Sequence, residues 1–171
     1  IEDIKQQKIT GCNVTVPFKK IIIPFLDKLS PEAEKTQSVN TIVFDNGELV
    51  GYNTDIAGFE KAIKKINFNL KDKKVLILGA GGAVAGCLGP IAAKNPDEIV
   101  IANRSIEKLD RLVGRYDKGV RGIVLSELDS QGAPFDLVIN GISAGLSGST
   151  GVELTDRILN DDGACYDLVY G

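Results

Sequence analysis

Four consecutive apolar residues, Val75–Leu78, run directly into Gly79-Ala80-Gly81-Gly82-Ala83-Val84, and no other stretch limits the possible fold as strongly. The apolar run predicts a short strand buried on both faces. The three glycines behind it leave bare backbone at the start of a following helix, whose first amides lack intrahelical partners and attract an anion. A phosphate fits such a turn. So does a strand and a helix that merely pack closely, and nucleotide binding therefore needs support from elsewhere in the chain.

The remainder of the chain after the glycines supplies part of that support. From Lys74 the apolar pattern predicts strands over 75–78, 99–102, 122–125, 137–140 and 164–168, alternating with helices near 82–94, 105–115 and 153–160. Short strands without polar alternation, separated by helices, imply an α/β fold with a doubly wound parallel sheet. Pro90, with Gly86 and Gly89 nearby, falls inside the first of these helices and is expected to kink it. In a dinucleotide-binding sheet the adenosine ribose is read at the end of the second strand, about 20 positions after the glycines. Asn103-Arg104-Ser105 occupies that place, with Lys108 one turn on. A carboxylate for a free 2'-hydroxyl is missing and a guanidinium for a 2'-phosphate is present, which favours NADP(H) over NAD(H). Arg111 and Arg115 continue the basic stripe too far along the helix to reach that phosphate and read as a solvated face. Ser105 also reads as the N-cap of this helix.

The first third of the chain has another pattern. Residues 1–8 read as the end of a helix. Residues 9–16 alternate as a strand, with Val14 and Val16 on one face and the neutral hydrogen-bonding Asn13 and Thr15 on the other. Pro17 is placed to start a helix in which Ile21, Ile22, Phe25, Leu26 and Leu29 recur at helical spacing. Lys19 and Lys20 then stand in its first turn, the unfavourable end of a helix dipole for cations. Ser30-Pro31-Glu32 predicts a cap and a second helix ending near Gln37, and Asp45-Asn46-Gly47 predicts a hairpin between strands over 39–44 and 49–52. Asn53-Thr54-Asp55 leads into a helix over 56–66, and a boundary within 56–73 gives domains of residues 1–58 and 59–171.

Composition matters here mainly through what is missing. The chain contains no histidine, which excludes Ser-His-Asp and Cys-His nucleophiles, His-ligated metals and imidazole proton shuttles within it. Acid–base work falls to Lys, Asp, Glu or Tyr. If a nicotinamide is held, carbonyl reduction needs a proton donor, and a Lys oriented by an Asp is a sufficient pair. Net charge is −3, from 20 basic and 23 acidic residues without a basic block, so neither nucleic acid nor an anionic membrane is an expected partner. Cys12, Cys87 and Cys165 are odd in number, far apart and without a CxxC pair, so no disulfide framework and no metal site is expected and all three read as small buried thiols. No run has transmembrane length and no signal peptide precedes Ile1, from which a cytoplasmic location is expected.

Several segments together resemble the shikimate dehydrogenase family: Asn13-Val14-Thr15-Val16-Pro17-Phe18-Lys19, Val39-Asn40-Thr41, Gly51-Tyr52-Asn53-Thr54-Asp55, Gly79-Ala80-Gly81-Gly82-Ala83, Asn103-Arg104-Ser105 and Tyr166-Asp167-Leu168-Val169-Tyr170. They occur in the family's order and cover nearly the whole chain. The resemblance implies an incomplete α/β substrate-binding domain followed by a Rossmann-like NADP-binding domain. It further implies NADPH-dependent, reversible reduction of 3-dehydroshikimate to shikimate on the route to chorismate and the aromatic amino acids, by a monomer or homodimer. Carried over by position, Lys19 is the catalytic lysine and Asp55 its partner, and Asn13, Thr15, Lys19, Asn40, Asp55 and Tyr170 hold the substrate. Gly79, Gly81, Gly82 and Ala83 match the pyrophosphate turn. Asn103, Arg104, Ser105 and Lys108 match the adenosine-phosphate clamp, and Asn140, in Asn140-Gly141-Ile142-Ser143, lies in the segment near the nicotinamide. The family's opening strand with a Ser-x-Ser pair and its closing Gln-bearing helix are not within this chain. A NAD-using quinate/shikimate dehydrogenase and a non-catalytic metabolite sensor on the same scaffold are the alternatives.

Overall fold

Asn46 and Gly47 both adopt positive φ, 49° and 84°, the backbone geometry that a two-residue hairpin turn requires and that Asn-Gly reaches at least cost. They join β3 (Thr41–Asp45) to β4 (Glu48–Tyr52) in antiparallel register, with Asp45 opposite Glu48. β1 (Gly11–Asn13) pairs antiparallel with β3, and β2 (Lys28–Leu29) pairs parallel with β4, so the sheet order is β1-β3-β4-β2. The computed structural model describes residues 1–6, 8–15, 17–116, 118–130, 134–142, 152 and 154–168. The chain divides into two units, Ile1–Asn67 and Phe68–Gly171. The division comes just after α4 (Asp55–Lys65), inside the interval where the sequence loses its apolar pattern.

In the first unit, α1 (Glu2–Lys5) contributes Ile4 to a core of Ala33, Val39, Ile42 and Leu49, with Val14, Ile22, Leu26 and Leu29 packed against it. α3 (Pro31–Thr36) starts as expected, because Ser30 Oγ accepts from Ala33 N at 3.2 Å. It stops at Gln37, which takes a left-handed φ of 50°. The long helix expected after Pro17 does not form. α2 (Phe18–Ile21) is a single turn followed by a 3-10 turn at Ile23–Phe25, and Leu29 lies in β2. Pro24 accounts for this, since it supplies no N–H and disfavours helical backbone at the residue before it. Ile21 and Phe25 consequently stay exposed, and Lys19 has no extended helix dipole to oppose.

The second unit holds five parallel strands: β5 (Lys74–Leu78), β6 (Glu98–Asn103), β7 (Val120–Val124), β8 (Phe135–Asn140) and β9 (Leu159–Asp167). Their order is β7-β6-β5-β8-β9, the doubly wound arrangement the sequence predicts. Both faces are covered. Leu76, Leu78, Val100, Ala102 and Val138 pack with Leu128 and Ile158 on one face, while the alternating Val75, Ile77, Ile99, Ile101, Leu137 and Ile139 are also buried. α5 (Gly82–Ala92) buries Val84, Cys87, Leu88 and Ile91 at helical spacing and runs through Pro90, which sits in its last turn and removes one backbone donor. α6 (Ile106–Val113) buries Leu109 and Leu112.

Two further expectations need correction. The helix near 153–160 is a 3-10 turn at Asp156–Ile158, after which β9 begins early at Leu159. Asn160-Asp161-Asp162-Gly163 is a poor helix former, and it forms the irregularity in β8–β9 pairing between Phe135 and Leu137. Of the three cysteines only Cys87 is buried; Cys12 and Cys165 are exposed. Among the described residues no helix is long and apolar enough to cross a membrane, and no cluster of His, Cys, Asp and Glu could hold a metal.

Candidate active site

The strand expected over 9–16 is only β1, which ends at Asn13; Thr15 lies two residues past it, and Phe18 N donates to Thr15 O at 2.8 Å, turning the chain so that α2 begins at once. Lys19 then points at the start of α4, where its Nζ donates to Asp55 Oδ2 at 2.8 Å. The two side chains retain 22% and 33% of their exposure, sheltered enough for a charge-assisted bond to outweigh an ordinary surface pair and open enough for a substrate oxygen to reach the ammonium.

Asn40 fixes the other half of this arrangement. Its backbone is held on both sides, N donating to Tyr52 O at 2.9 Å and O accepting from Val14 N at 2.8 Å. Its Nδ2 donates to Asp55 Oδ1 at 2.8 Å and Thr54 Oγ1 at 3.0 Å, and its Oδ1 accepts from Thr54 N at 3.1 Å and Thr41 Oγ1 at 3.0 Å. Both oxygens of Asp55 are therefore engaged, one by an amide and one by an ammonium. The carboxylate cannot turn away without losing a bond.

Below it lies Asn53, a buried residue that sequence reasoning passed over as part of a motif. Its Oδ1 accepts from Asp55 N at 3.0 Å, and its Nδ2 donates to Thr36 Oγ1 at 3.1 Å and Ser38 O at 3.0 Å. Val39 N, next along, donates to Lys19 O at 2.8 Å. Residues 38–40 thus tie the backbones of Lys19 and Asp55 to one segment. The signal was available in principle, because an Asx residue two positions before a helix start commonly takes up the free amide there.

The remaining substrate candidates are distributed less tightly. Asn13 lies opposite Thr41 in the sheet, and Asn13 and Thr15 are exposed, with no side-chain bond to the Lys19–Asp55 pair among the described residues. Tyr170 lies outside the described residues, as do Val16 and Ser143.

In the second unit the strand order reverses between β5 and β8, the place where an open parallel sheet takes its ligand. Gly79, with φ 98°, and Gly141 meet backbone to backbone there; a Cβ on Gly79 would come within 3.0 Å of Gly141 O, and one on Gly141 would strike Val84 Cγ2. Gly81 differs. Its φ of −83° and ψ of −176° suit any residue, and a Cβ placed on it would meet nothing within 4 Å. Neither backbone strain nor packing among the described residues requires glycine at this position, and its bare backbone leaves open space at the start of α5. Gly81 also caps α5 without a side-chain bond, and among the described residues no side-chain bond to the amides of Gly82 or Ala83 is made, which suits them to a pyrophosphate.

Arg104 and Lys108 are exposed at the start of α6, and Arg104 makes no ion pair among the described residues. They suit a 2'-phosphate. Two other candidates are occupied within the protein: Asn103 Nδ2 donates to Ser105 O at 3.1 Å, and Ser105 Oγ accepts from Lys108 N at 3.4 Å as the N-cap. Asn140 Nδ2 donates to both carboxylate oxygens of Asp167 at 3.2 Å, while its Oδ1 accepts from Ile142 N at 3.1 Å, shaping the turn at the end of β8.

Residues 1–42 match the family described as shikimate dehydrogenase substrate binding domain, and residues 60–150 match shikimate / quinate 5-dehydrogenase. The chain is 46% identical over 163 residues to a shikimate dehydrogenase (NADP(+)) of Alcanivorax borkumensis, covering 94% of this chain and 58% of the relative. Identity to the enzyme of the same name from Pelagibacter ubique is 39%, covering 99% and 62%. Among solved structures, shikimate dehydrogenase from Aquifex aeolicus superposes with a TM-score of 0.83 at 31% identity, over 99% of this chain and 62% of that one. Shikimate 5-dehydrogenase from Thermus thermophilus, in complex with NADP(H) and shikimate, gives 0.80 at 30% identity, over 98% and 61%. The chain thus spans about three fifths of the length of these relatives.

Proposed function

The chain belongs to the shikimate / quinate 5-dehydrogenase family, and on that premise we propose that the complete protein catalyses the reversible, NADPH-dependent reduction of 3-dehydroshikimate to shikimate, a cytoplasmic step towards chorismate and the aromatic amino acids. The observation that carries this reading is the Lys19 Nζ–Asp55 Oδ2 bond of 2.8 Å, with Asp55 held from its other oxygen by Asn40. The first unit binds substrate and the second binds the cofactor. When bound, NADPH supplies a hydride to the carbonyl carbon, and NADP+ takes one back from the alcohol.

Lys19 does the complementary work. In the reductive direction its ammonium gives a proton to the carbonyl oxygen as negative charge develops there, and in the oxidative direction the neutral amine accepts the proton of the hydroxyl. Asp55 orients the ammonium and stabilises its charge. Asn13, Thr15 and Tyr170 bind the ring hydroxyls, since neutral groups that both donate and accept discriminate a polyol from a less hydroxylated ring, while Asn40, whose two amide hydrogens go to Asp55 and Thr54, serves the substrate by holding that corner of the site. Gly81, Gly82 and Ala83 receive the pyrophosphate, and Arg104 and Lys108 the 2'-phosphate.

Mixing the complete protein with shikimate and NADP+ and monitoring NADPH absorbance tests the proposal. Shikimate-dependent NADPH formation is the expected result, with a higher kcat/KM for NADP+ than for NAD+. Ligand-induced stabilisation without turnover would replace the enzyme with a sensor, and equal kcat/KM for the two cofactors would remove the role given to Arg104.

A further inference from the structure

The N-terminus of α6 already holds an anion, and it belongs to the chain itself. Ser105 Oγ donates to Glu107 Oε2 at 2.7 Å while accepting from Lys108 N at 3.4 Å. The Ser105 hydroxyl first, and the backbone N–H of Glu107 after it, hold the Glu107 carboxyl below the ordinary carboxylate value. Ser105 Oγ–H and the first free amides of a helix are the donors that an incoming phosphate monoester uses at such a place. Here the Ser105 hydroxyl, the Glu107 amide and the Lys108 amide are taken.

We propose that Glu107 is a specificity-determining residue: its carboxylate competes with the cofactor's 2'-phosphate for the Ser105 hydroxyl and the α6 amides, and so narrows the preference for NADP(H) over NAD(H). The proposal rests on the cofactor reading above and adds a residue that works against Arg104 and Lys108. Two anions cannot occupy the same donors, and like charges brought to one helix start repel. Glu107 is exposed, so it swings aside on cofactor binding without unpacking any neighbour, at the cost of its own bonds. An enzyme with such a competitor retains NADP(H) binding and binds it less tightly than the basic residues alone would allow.

Calorimetric titration of the complete protein with 2',5'-ADP and with 5'-AMP separates the 2'-phosphate from the rest of the nucleotide. Glu107→Gln and Glu107→Ala are expected to bind 2',5'-ADP roughly three- to tenfold tighter, with 5'-AMP moved less, so that the affinity ratio rises. With Ser105→Ala as background the gain from Glu107→Gln is expected to shrink, because the contested donor is gone. A wild-type ratio that depends on Arg104 but stays the same in both Glu107 variants overturns the competition. A wild-type ratio of one that Arg104→Ala leaves unchanged overturns the phosphate clamp, and the competition with it. A carboxylate serving only the helix dipole would alter the melting temperature and leave the ratio alone.

Discussion

Lys19 and Asp55 are separated by 36 positions in sequence and by 2.8 Å between Nζ and Oδ2, and Asn40 engages the opposite carboxylate oxygen at the same distance. A carboxylate held at both oxygens acts as a fixed reference for the ammonium. Which of these contacts is removed sets the functional consequence.

Replacing Lys19 by Ala removes the proton donor and leaves the strand, the turn and Asp55 in place. Turnover is expected to fall by about 10²–10⁴-fold, the usual contribution of a positioned acid–base group. NADPH affinity is expected to hold, since the glycine turn and Arg104 belong to the other unit. Steady-state kinetics beside a fluorescence titration of NADPH checks both; unchanged turnover with unchanged affinity would remove Lys19 from the mechanism.

Asn53 and Ser38 are adjacent, buried and predicted to respond with opposite signs. Asn53→Ala leaves Asp55 N without its partner, while Thr36 Oγ1 still donates to Glu32 O and Ser38 O still accepts from Thr36 Oγ1, and is expected to cost about 1–3 kcal/mol, the usual range for one buried group left unsatisfied. It also frees the start of α4, so kcat falls with it. Among the described residues the Ser38 hydroxyl has no hydrogen-bond partner, and Ser38→Ala is expected to be neutral or to stabilise by about 1 kcal/mol. Denaturant unfolding of the two variants measures the contrast, and a Ser38→Ala protein that loses stability would show that its hydroxyl is satisfied in solution.

Much of this architecture is legible in the sequence because it is enforced locally. Val75–Leu78 admits little but a buried strand, and Asn46-Gly47 reads as a turn because those two residue types reach positive φ most easily. The helix expected after Pro17 failed for a local reason too: apolar spacing matched a helix while Pro24 forbade it. The helix expected near 153–160 failed because Asn160-Asp161-Asp162-Gly163 is a poor helix former, and the irregularity it makes in the β8–β9 pairing is not announced by spacing. The site is less legible. Nothing in the spacing of Lys19 and Asp55 says that they meet, and only their resemblance to a known family joined them. Asn53, Ser38 and Glu107 were missed because single polar residues carry no periodicity, and their roles exist only in the bonds they make.

Gly81 and Gly141 separate ligand requirements from packing requirements. A Cβ at Gly81 meets no neighbour and its backbone suits alanine, so Gly81→Ala is expected to keep or raise stability, by about 0.4–1 kcal/mol, through the unfolded chain. If the proposed pyrophosphate site is right, the added methyl intrudes on it, and NADP+ affinity is expected to drop by at least tenfold, about 1.4 kcal/mol. At Gly141 the same methyl strikes Val84, and a loss of about 1–3 kcal/mol of stability is expected from overpacking. Thermal melts with and without NADP+ distinguish the two; a Gly81→Ala protein that NADP+ stabilises as well as wild type would mean the turn does not hold the cofactor.

Asp136 gives the fold a dependence on acid that is independent of catalysis. Partial burial pushes its carboxyl up, but Lys74 N at 2.8 Å, Asn160 Nδ2 at 2.9 Å and Lys73 Nζ at 3.2 Å outweigh that and hold it below the ordinary value. A carboxyl depressed in the folded state stabilises above its unfolded pKa, near 3.9, and the contribution is lost as pH falls through the folded one. Asp136 joins the starts of β5 and β8 to β9, so Asp136→Asn is expected to cost about 1–3 kcal/mol at pH 7 by weakening a charge-assisted bond to a backbone amide. The gap in unfolding free energy between wild type and variant should stay level from pH 7 to about 5 and close below about pH 4, where protonation does in the wild type what the substitution did already. A gap that stays constant down to about pH 2 would mean that the bonds made by Asp136 do not depend on its charge.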